Sequence, residues 1–266
     1  MAIAQSQPEV GSLLREWRER RRLTQLDLGL EAGVSARHLS FIETGRSKPG
    51  REMLLRIAEQ LEIPFRDRNH LLLAAGHAPA YPERGLEDPA LTPVRAALER
   101  ILAAHDPYPA VVFDRAWDLV SANASMSALT QGVEIEAALL EAPINILRLG
   151  LHPRGLAPLI VNLARWRAHF LERLARQVAL TGDSSLESLM IEVAAYPVAP
   201  DREAEQADSE ILGPVRLRAP GGGEWSFFGM FAGFDTPFEV TTSELAIELL
   251  FPADQATAQA FRKGSS

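Results

Sequence analysis

A short helical stretch near the N-terminus carries side chains that could read the edges of base pairs. Projected at about 100° per residue, one side of this stretch presents small, polar and cationic groups, while Leu39 and Ile42 fall on the opposite side. The first group comprises Ala36, Arg37, Ser40, Phe41 and Thr44. Arginine can pair with guanine through two hydrogen bonds, and small or apolar groups can contact a thymine methyl. The pattern predicts a recognition helix for the major groove; the alternative is an ordinary helix pair with a solvated face.

The residues before this stretch predict the turn that positions it. Thr24 is followed three positions later by Asp27, a capping box that starts one helix. Gly33 ends that helix, and Ser35 can cap the next one. Val34 lies between them and can pack as a staple. Residues 24–50 therefore predict a helix-turn-helix.

At these residues the chain resembles the Xre/Cro-type repressor DNA-binding domain. The resemblance covers about residues 11–76 and rests on Thr24-Gln25, Gly33-Val34-Ser35 and the run Ile42-Glu43-Thr44-Gly45-Arg46. It implies that Gln25 binds phosphate and braces the recognition helix. It also implies that Ser35, Ala36, Arg37, Ser40 and Phe41 face DNA, where Phe41 either contacts a thymine methyl or covers the domain edge.

Charge and composition indicate how the protein binds DNA and where in the cell it is expected. The 266 residues carry a net charge of −8, yet residues 1–77 hold 12 Lys and Arg against 10 Asp and Glu. We therefore expect local phosphate contacts, from Arg37, Arg46, Lys48 and Arg51, and two DNA-binding heads brought together in a homodimer. The chain has no cysteine, and no leader or apolar span is evident, which predicts a cytoplasmic protein.

The order of helix, proline and strand signals along the sequence predicts three segments. Residues 1–77 are predicted to form a five-helix, all-α domain, and the proline-rich residues 78–93 a semi-stiff linker. Residues 94–266 are predicted to form an α+β ligand-binding and dimerisation domain with an antiparallel sheet. We expect hairpins from residues 110–114 with 117–122, and from 214–218 with 224–234. The last of these strands is apolar on both faces, so it should be central and covered on both sides.

Further elements are predicted around these hairpins. Residues 238–240 are expected to add a strand, and Thr242 or Ser243 to cap a helix that runs to Leu250. Helices are also predicted over residues 123–130, 134–141, 144–150, 156–180, 185–195 and 254–261. An exposed loop is predicted at 198–210.

The second half resembles the ligand-binding domain of MmyB-type transcription regulators. The resemblance covers about residues 94–261 and rests on the stretches WDLVSAN, NILRLGLHPRGL, NLARWRAHFL and FDTPFEVTTSELAIELLFPAD. It implies a PAS-like sensor whose apolar cavity holds a fatty-acid-like molecule. The candidate ligand-binding residues are Trp117, Asn123, Arg148, His152, Trp166, Arg167, Phe228 and Phe231.

Arg148 is the expected carboxylate anchor, because aromatic strands with an Arg/His/Asn cluster could form an apolar tunnel ending in a cation. The alternative is that these polar residues cap carbonyls or pair with Glu172 and its neighbours. No metalloprotease, P-loop or nucleophile-elbow motif is present. The sequence therefore predicts a non-enzymatic regulator without cofactor or metal, which binds an operator as a repressor and responds to an apolar ligand. Two alternatives remain: a C-terminal domain that only dimerises, and one that binds a protein partner.

Overall fold

The structure is a computed structural model that describes residues 9–198, 213–235 and 237–263. Two compact units form within it. The first comprises residues 9–84 with 179–182 and 237–243, and the second comprises the remaining described residues. The boundaries 78 and 93, given to the linker from the sequence, stay predictions.

Five helices build the N-terminal domain, which confirms the predicted all-α head. They are α1 (Val10–Arg20), α2 (Gln25–Ala32), α3 (Ala36–Glu43), α4 (Arg51–Gln60) and α5 (Phe65–Ala74). Their shared core includes Leu14, Leu28, Leu39, Ile42 and Ile57, all of which are fully buried. The helix-turn-helix is therefore fixed by packing on one face of each helix.

The caps predicted around α2 and α3 are present. The backbone N–H of Asp27 donates to Thr24 Oγ1 at 3.1 Å, and the Thr24 N–H donates in return to Asp27 Oδ2 at 3.0 Å. Gly33 ends α2 with φ +65°, a conformation that glycine adopts without strain. Ser35 Oγ then accepts from the His38 N–H at 3.2 Å and starts α3.

Two helical glycines permit the close packing of this domain. A Cβ on Gly29 would lie 2.5 Å from the carbonyl oxygen of Val34, and one on Gly11 would lie 2.4 Å from that of Ile42. Real Cβ atoms do not approach backbone this closely, so larger residues would force α1 and α2 away from α3. These glycines thus help to set the position of the recognition helix.

Part of the proline-rich segment is held on α5. The side-chain oxygen of Asn69 accepts from the N–H groups of Ala80 and Tyr81, and the Tyr81 ring stacks on Phe65 with centroids 4.0 Å apart. A 3₁₀ turn at Pro89–Leu91 leads into α6 (Thr92–His105). Thr92 is therefore the first residue of this helix, and Leu91 precedes it at the N-cap position.

The C-terminal domain contains the predicted five-stranded antiparallel sheet, and its PAS-like α+β class is confirmed. The strands are β1 (Ala110–Phe113), β2 (Leu119–Ala122), β3 (Val215–Arg218), β4 (Glu224–Ala232) and β5 (Ala246–Pro252). Their order is β2-β1-β5-β4-β3. Both expected hairpins are present as β1 with β2 and β3 with β4.

The position of the middle strand was wrong in the sequence-based prediction. Residues 242–250 were expected to be helical after a strand at 238–240, but the structure has α10 (Val240–Glu244) followed by β5. β5 bonds to β1 on one side and to β4 on the other, so strand pairing outweighs the local helical signals. β4 has strands on both sides, yet Met230 is 53% exposed, so its second apolar set is only partly covered.

Other helices pack on the sheet. They are α7 (Ile146–Leu151), α8 (Leu163–Thr181), α9 (Ser184–Ala194) and α11 (Gln255–Lys263). The helix predicted to begin at Leu156 begins at Leu163 instead, because the N–H of Val161 donates to Arg216 O at 2.8 Å and ties the preceding chain to β3. The predicted helices at 123–130 and 134–141 are 3₁₀ turns, at Ala124–Thr130 and Ala137–Leu140. The loop predicted at 198–210 lies outside the described residues, except for Val198.

The sheet is covered on both faces. Leu98 and Leu102 of α6 pack on one face against Val112 and Ile247. Phe170 and Leu174 of α8 pack on the other face with Val111 and Phe113, and helices α7 and α9 complete that layer. The apolar interior on the α8 side is where the cavity described below lies.

Candidate DNA interface and ligand cavity

The recognition helix α3 is anchored on one side and open on the other. Leu39 and Ile42 are fully buried, whereas Arg37 is exposed. The Arg37 guanidinium lies over the Phe41 ring, 5.4 Å from its centroid, in a cation–π geometry. Ala36 and Ser40 are half-buried beside it. This surface has the size and chemistry to contact base edges.

The cations assigned to phosphate follow the helix. Arg46 and Lys48 are exposed in the loop after α3, and Ser35 is exposed at its start. Arg51 is half-buried at the start of α4. Of the candidate DNA contacts, Ser35, Arg37, Arg46 and Lys48 are exposed, and Ala36, Ser40, Phe41 and Arg51 are half-buried. Their DNA-contact roles stay predictions.

A buried ion pair between Arg18 of α1 and Glu43 of α3 holds the recognition helix. Nε and Nη2 of Arg18 donate to the two carboxylate oxygens of Glu43 at 2.7 and 2.9 Å, and Gln25 Nε2 donates to Glu43 Oε2 at 2.8 Å. The side chain of Glu43 is only 3% exposed. Gln25 thus donates a hydrogen bond to the last residue of α3, and its predicted phosphate contact stays a prediction. The Arg18–Glu43 pair was missed by the sequence analysis, because its two residues lie 25 positions apart in the chain.

An apolar cavity of about 110 Å³ lies in the C-terminal domain between the sheet and helices α7 and α8. It is lined by aliphatic and aromatic side chains, among them Met126, Leu147, Ile160 and Phe170. Glu248 is the one ionisable side chain among its described lining residues. A cavity of this character suits the hydrocarbon part of a small molecule.

A more polar cleft of about 330 Å³ adjoins this cavity. Its additional lining includes Asn162, Arg165, His169 and Phe231. Both spaces share residues, which places them side by side; the shared residues are Trp166, Phe170, Val215, Glu248 and Leu250. An amphipathic ligand could therefore occupy both, with an apolar part in the first and a polar part in the second.

A wider cleft of about 640 Å³ lies elsewhere in this domain, between the 3₁₀ turn at Ala124–Thr130 and the start of β4. It is lined largely by alanine, serine, glycine and proline. Its acidic residue Asp106 already accepts hydrogen bonds from Asn123 and Ser125, both at 2.9 Å. The smaller pair of spaces offers the better apolar enclosure.

Three of the eight residues predicted to bind ligand line these two spaces. Trp166 lines both, and Phe228 and Phe231 line the polar cleft. Trp117 lies deeper, stacked on Phe113 with centroids 4.9 Å apart. Asn123 accepts from the Ala110 N–H of β1 and donates to the carbonyls of Leu102 and Tyr108. Neither of these two is a lining residue.

The three predicted cationic residues contact protein groups outside both spaces. Arg148 forms a bidentate pair with Glu192, with Nη2 2.8 Å from Oε2, and this pairing lowers the pKa of Glu192. His152 packs edge-on against Tyr196, and Arg167 donates to the carbonyl oxygens of Ala194 and Tyr196. These contacts match the alternative stated from the sequence, in which they cap carbonyls or pair with carboxylates. Their ligand-binding role stays a prediction.

Sequence reasoning missed Glu248 and Arg173. Glu248 lay within residues assigned to a helix, where one glutamate among leucines carries no signal. Read as a strand, Ala246, Glu248 and Leu250 alternate with Ile247 and Leu249, and that alternation places the glutamate on the cavity face. Arg173 of α8 lies over the Phe231 ring at 3.5 Å from its centroid.

A head with an exposed recognition helix, joined in one chain to a PAS-like domain with an apolar cavity, defines a transcription regulator with DNA-binding and ligand-binding domains. Comparison with known families agrees with this class. The model of the MmyB-like transcription regulator ligand binding domain matches residues 94–263, and a helix-turn-helix model matches residues 14–67. The chain therefore belongs to the MmyB-like transcription regulators, and both resemblances found in the sequence are confirmed.

A curated relative is similar to part of the chain. It is the uncharacterized HTH-type transcriptional regulator RghRB of Bacillus subtilis (strain 168), 38% identical over 74 residues, which are 27% of this chain and 51% of the relative. The chain thus spans about half the length of the curated relative that it matches. Within the part of the chain that the structure describes, no helix is long and apolar enough to cross a bilayer.

Proposed function

We propose that this protein is a sequence-specific repressor that binds its operator as a homodimer and is controlled by a small apolar or fatty-acid-like ligand. The observation that carries the proposal is the apolar cavity beside a polar cleft in a chain whose other domain presents a recognition helix. Repression follows if the bound dimer occludes a promoter. Trp166, Phe228 and Phe231 are the proposed ligand contacts among the residues named from the sequence.

Ligand control requires that the ligand prefer one state of the dimer. A ligand can shift DNA affinity only through a difference in its own affinity for the DNA-bound and DNA-free states. A coupling of about 1–3 kcal/mol, typical of such systems, changes operator affinity about 5- to 150-fold. We propose that residues 78–104 carry this coupling, since they link the two predicted domains.

The experiment begins with native mass spectrometry of the purified full-length protein, followed by denaturing extraction of bound small molecules. We expect a dimer that releases an amphipathic molecule. Operator fragments are then selected from genomic DNA with the same protein, and their affinity is measured by fluorescence anisotropy with and without the released molecule. We expect at least a fivefold change in affinity.

Two other outcomes identify the competing functions. Constant operator affinity with no extracted molecule would point to a C-terminal domain that only dimerises. A stoichiometric complex with a second protein would point to a protein-interaction module. A transcriptional reporter driven by the selected operator tests the sign of control, because repression predicts higher expression when the gene for this protein is deleted.

A further inference from the structure

A buried carboxyl group lies where the apolar cavity meets the polar cleft. Glu248 lines both spaces, and its residue is 8% exposed. Within the described part of the chain, its carboxyl group forms neither a hydrogen bond nor an ion pair. No fully buried side-chain oxygen of the described residues lacks a partner, so the Glu248 oxygens reach the open space. An unpaired buried carboxyl group is costly, which indicates that a ligand supplies the partner.

An arginine lies beside this carboxyl group. Phe231 of β4 is paired with Glu248 of β5, so the two side chains are neighbours on the same face of the sheet. The guanidinium carbon of Arg173 lies 3.5 Å from the centroid of the Phe231 ring and 5.4 Å from that of Trp117. Among the described residues, the N–H groups of Arg173 form no hydrogen bond or ion pair. Two aromatic rings therefore hold a cation next to Glu248 and leave its donors open to a ligand.

Further polar groups of α8 make the cleft suitable for an anion. Arg165 and His169 line it and precede Arg173 at intervals of four residues, on one side of the helix. Arg165 has interactions within the protein and still adds positive charge to the cleft wall. Burial, followed by the nearby Arg173, lowers the pKa of His169, which favours its neutral form near pH 7. The α8 side of the cleft thus favours a negatively charged head group.

Glu248 must lose its charge when such a head group binds. Its paired neighbours Val111 and Phe231 are uncharged, and the described cavity residues of α7 and β3 are apolar, so its charged neighbours come from α8. Burial raises the pKa of Glu248 to about 7, against the opposing effect of Arg173. Two carboxyl groups in one site do not both ionise readily, and one keeps a proton. A free carboxylic acid has a pKa of about 4 to 5, so the proton belongs on Glu248.

Resting on the proposed function, we infer that Arg173 and Glu248 together anchor the carboxylate of an amphipathic monocarboxylic acid, and that Glu248 takes up one proton from solution when this ligand binds. Arg173 pairs with the carboxylate, and the protonated Glu248 donates a hydrogen bond to one of its oxygens. The hydrocarbon chain lies in the apolar cavity between β5, α7 and α8. The site therefore binds an acid together with a proton, and its affinity for the acid depends on pH.

Octanoic acid and octan-1-ol test this coupling in the full-length wild-type protein. The acid is ionised at both pH 6 and pH 8, so a change in its affinity reports the protein. Because Glu248 is mostly protonated at pH 6 and mostly ionised at pH 8, octanoate should bind about tenfold more weakly at pH 8. Calorimetric titration in two buffers of different ionisation enthalpy should show proton uptake close to zero at pH 6 and close to one per ligand at pH 8. Octan-1-ol should bind without proton uptake at either pH.

Four variants assign the charge and the proton to particular residues. Glu248→Gln keeps a donor but cannot titrate, so octanoate should bind about tenfold more tightly than to wild type at pH 8, without proton uptake. Arg173→Met should weaken octanoate by about tenfold or more and octan-1-ol by less than about twofold. Arg176→Met is the matched control, because Arg176 is an exposed arginine of the same helix, and it should change neither affinity. His169→Gln should keep the proton uptake at pH 8, because Glu248 is the group that takes the proton.

Two results would show that the anchor is assigned wrongly. Octanoate affinity that is equal at pH 6 and pH 8, or proton uptake that is lost in His169→Gln and kept in Glu248→Gln, would overturn the inference and leave an apolar-ligand sensor intact. Failure of octanoate to bind would overturn it as well. The proposed function fails by a different observation, namely operator affinity that does not respond to the molecule extracted from the protein.

Discussion

At the scale of single residues, the recognition helix and its flanking loop should contribute to DNA binding in different ways. Arg37 is exposed on α3 and supported by Phe41, whereas Lys48 is exposed in the loop that follows. Arg37→Ala should weaken operator binding by about 1–3 kcal/mol and relax discrimination at one base pair. Lys48→Ala should weaken all sequences alike and lower the salt slope by about one unit.

Anisotropy titrations with the operator and with a scrambled duplex, at several salt concentrations, separate the two effects. Arg56→Ala is the control, because Arg56 is an exposed arginine on α4 away from the recognition helix. If Arg37→Ala left operator discrimination unchanged, the assignment of α3 as the recognition helix would be wrong.

At the scale of elements, α3 depends on the buried pair beneath it. Removing one partner of a buried ion pair leaves an uncompensated charge and typically costs about 3–5 kcal/mol. Arg18→Met should therefore destabilise the N-terminal domain by roughly that amount, because Glu43 is 3% exposed and would keep only the bond from Gln25. Replacing both, as Arg18→Met with Glu43→Met, should recover most of the loss.

Urea unfolding followed by the fluorescence of Trp17, which packs in this core, measures the change. Arg15→Met serves as the control, since its pairing with Glu19 is exposed and surface pairs contribute little. Equal destabilisation by the single and the double variants would contradict the ion-pair account and attribute the effect to packing.

The elements also show which parts of the fold could be predicted from the sequence. Helices α2 and α3 were predicted closely because their signals are local: a capping box at Thr24, a glycine with positive φ at Gly33 and a serine cap at Ser35. The strand β5 was missed because Thr242 and Ser243, followed by glutamates and leucines, satisfy helix rules equally well. Only the hydrogen bonds from β1 and β4 make it a strand.

The same difference between local and long-range interactions explains which parts of the candidate sites could be predicted from the sequence. The predicted DNA-facing surface lies on one helix, so periodicity alone was enough to propose it. The cavity combines residues from β5, α7, α8 and β3, and its glutamate is visible only once β5 is placed correctly. Arg148 was the expected anchor because it is a cation near aromatic residues. In the structure its guanidinium is paired with Glu192 of α9, a residue 44 positions away in sequence.

At the scale of the whole molecule, the small positive charge of the N-terminal domain is the reason to expect that the protein binds DNA as a dimer. Residues 1–77 carry only two more basic than acidic residues, 12 against 10, so one head should bind an operator half-site with modest affinity. Linking two heads makes the second contact intramolecular, which typically strengthens binding by about 10²–10⁴. A duplex with a single half-site should therefore bind more weakly by a factor in that range.

Helical phasing gives the sharper test. Two helix-turn-helix heads in one dimer contact half-sites about one helical turn, or 10–10.5 base pairs, apart on the same face of the duplex. Inserting five base pairs between the half-sites moves one of them to the opposite face, so affinity should fall to that of the single half-site. Affinity that did not depend on the insertion would mean that each head binds alone, and operator selectivity would then depend entirely on contacts such as that of Arg37.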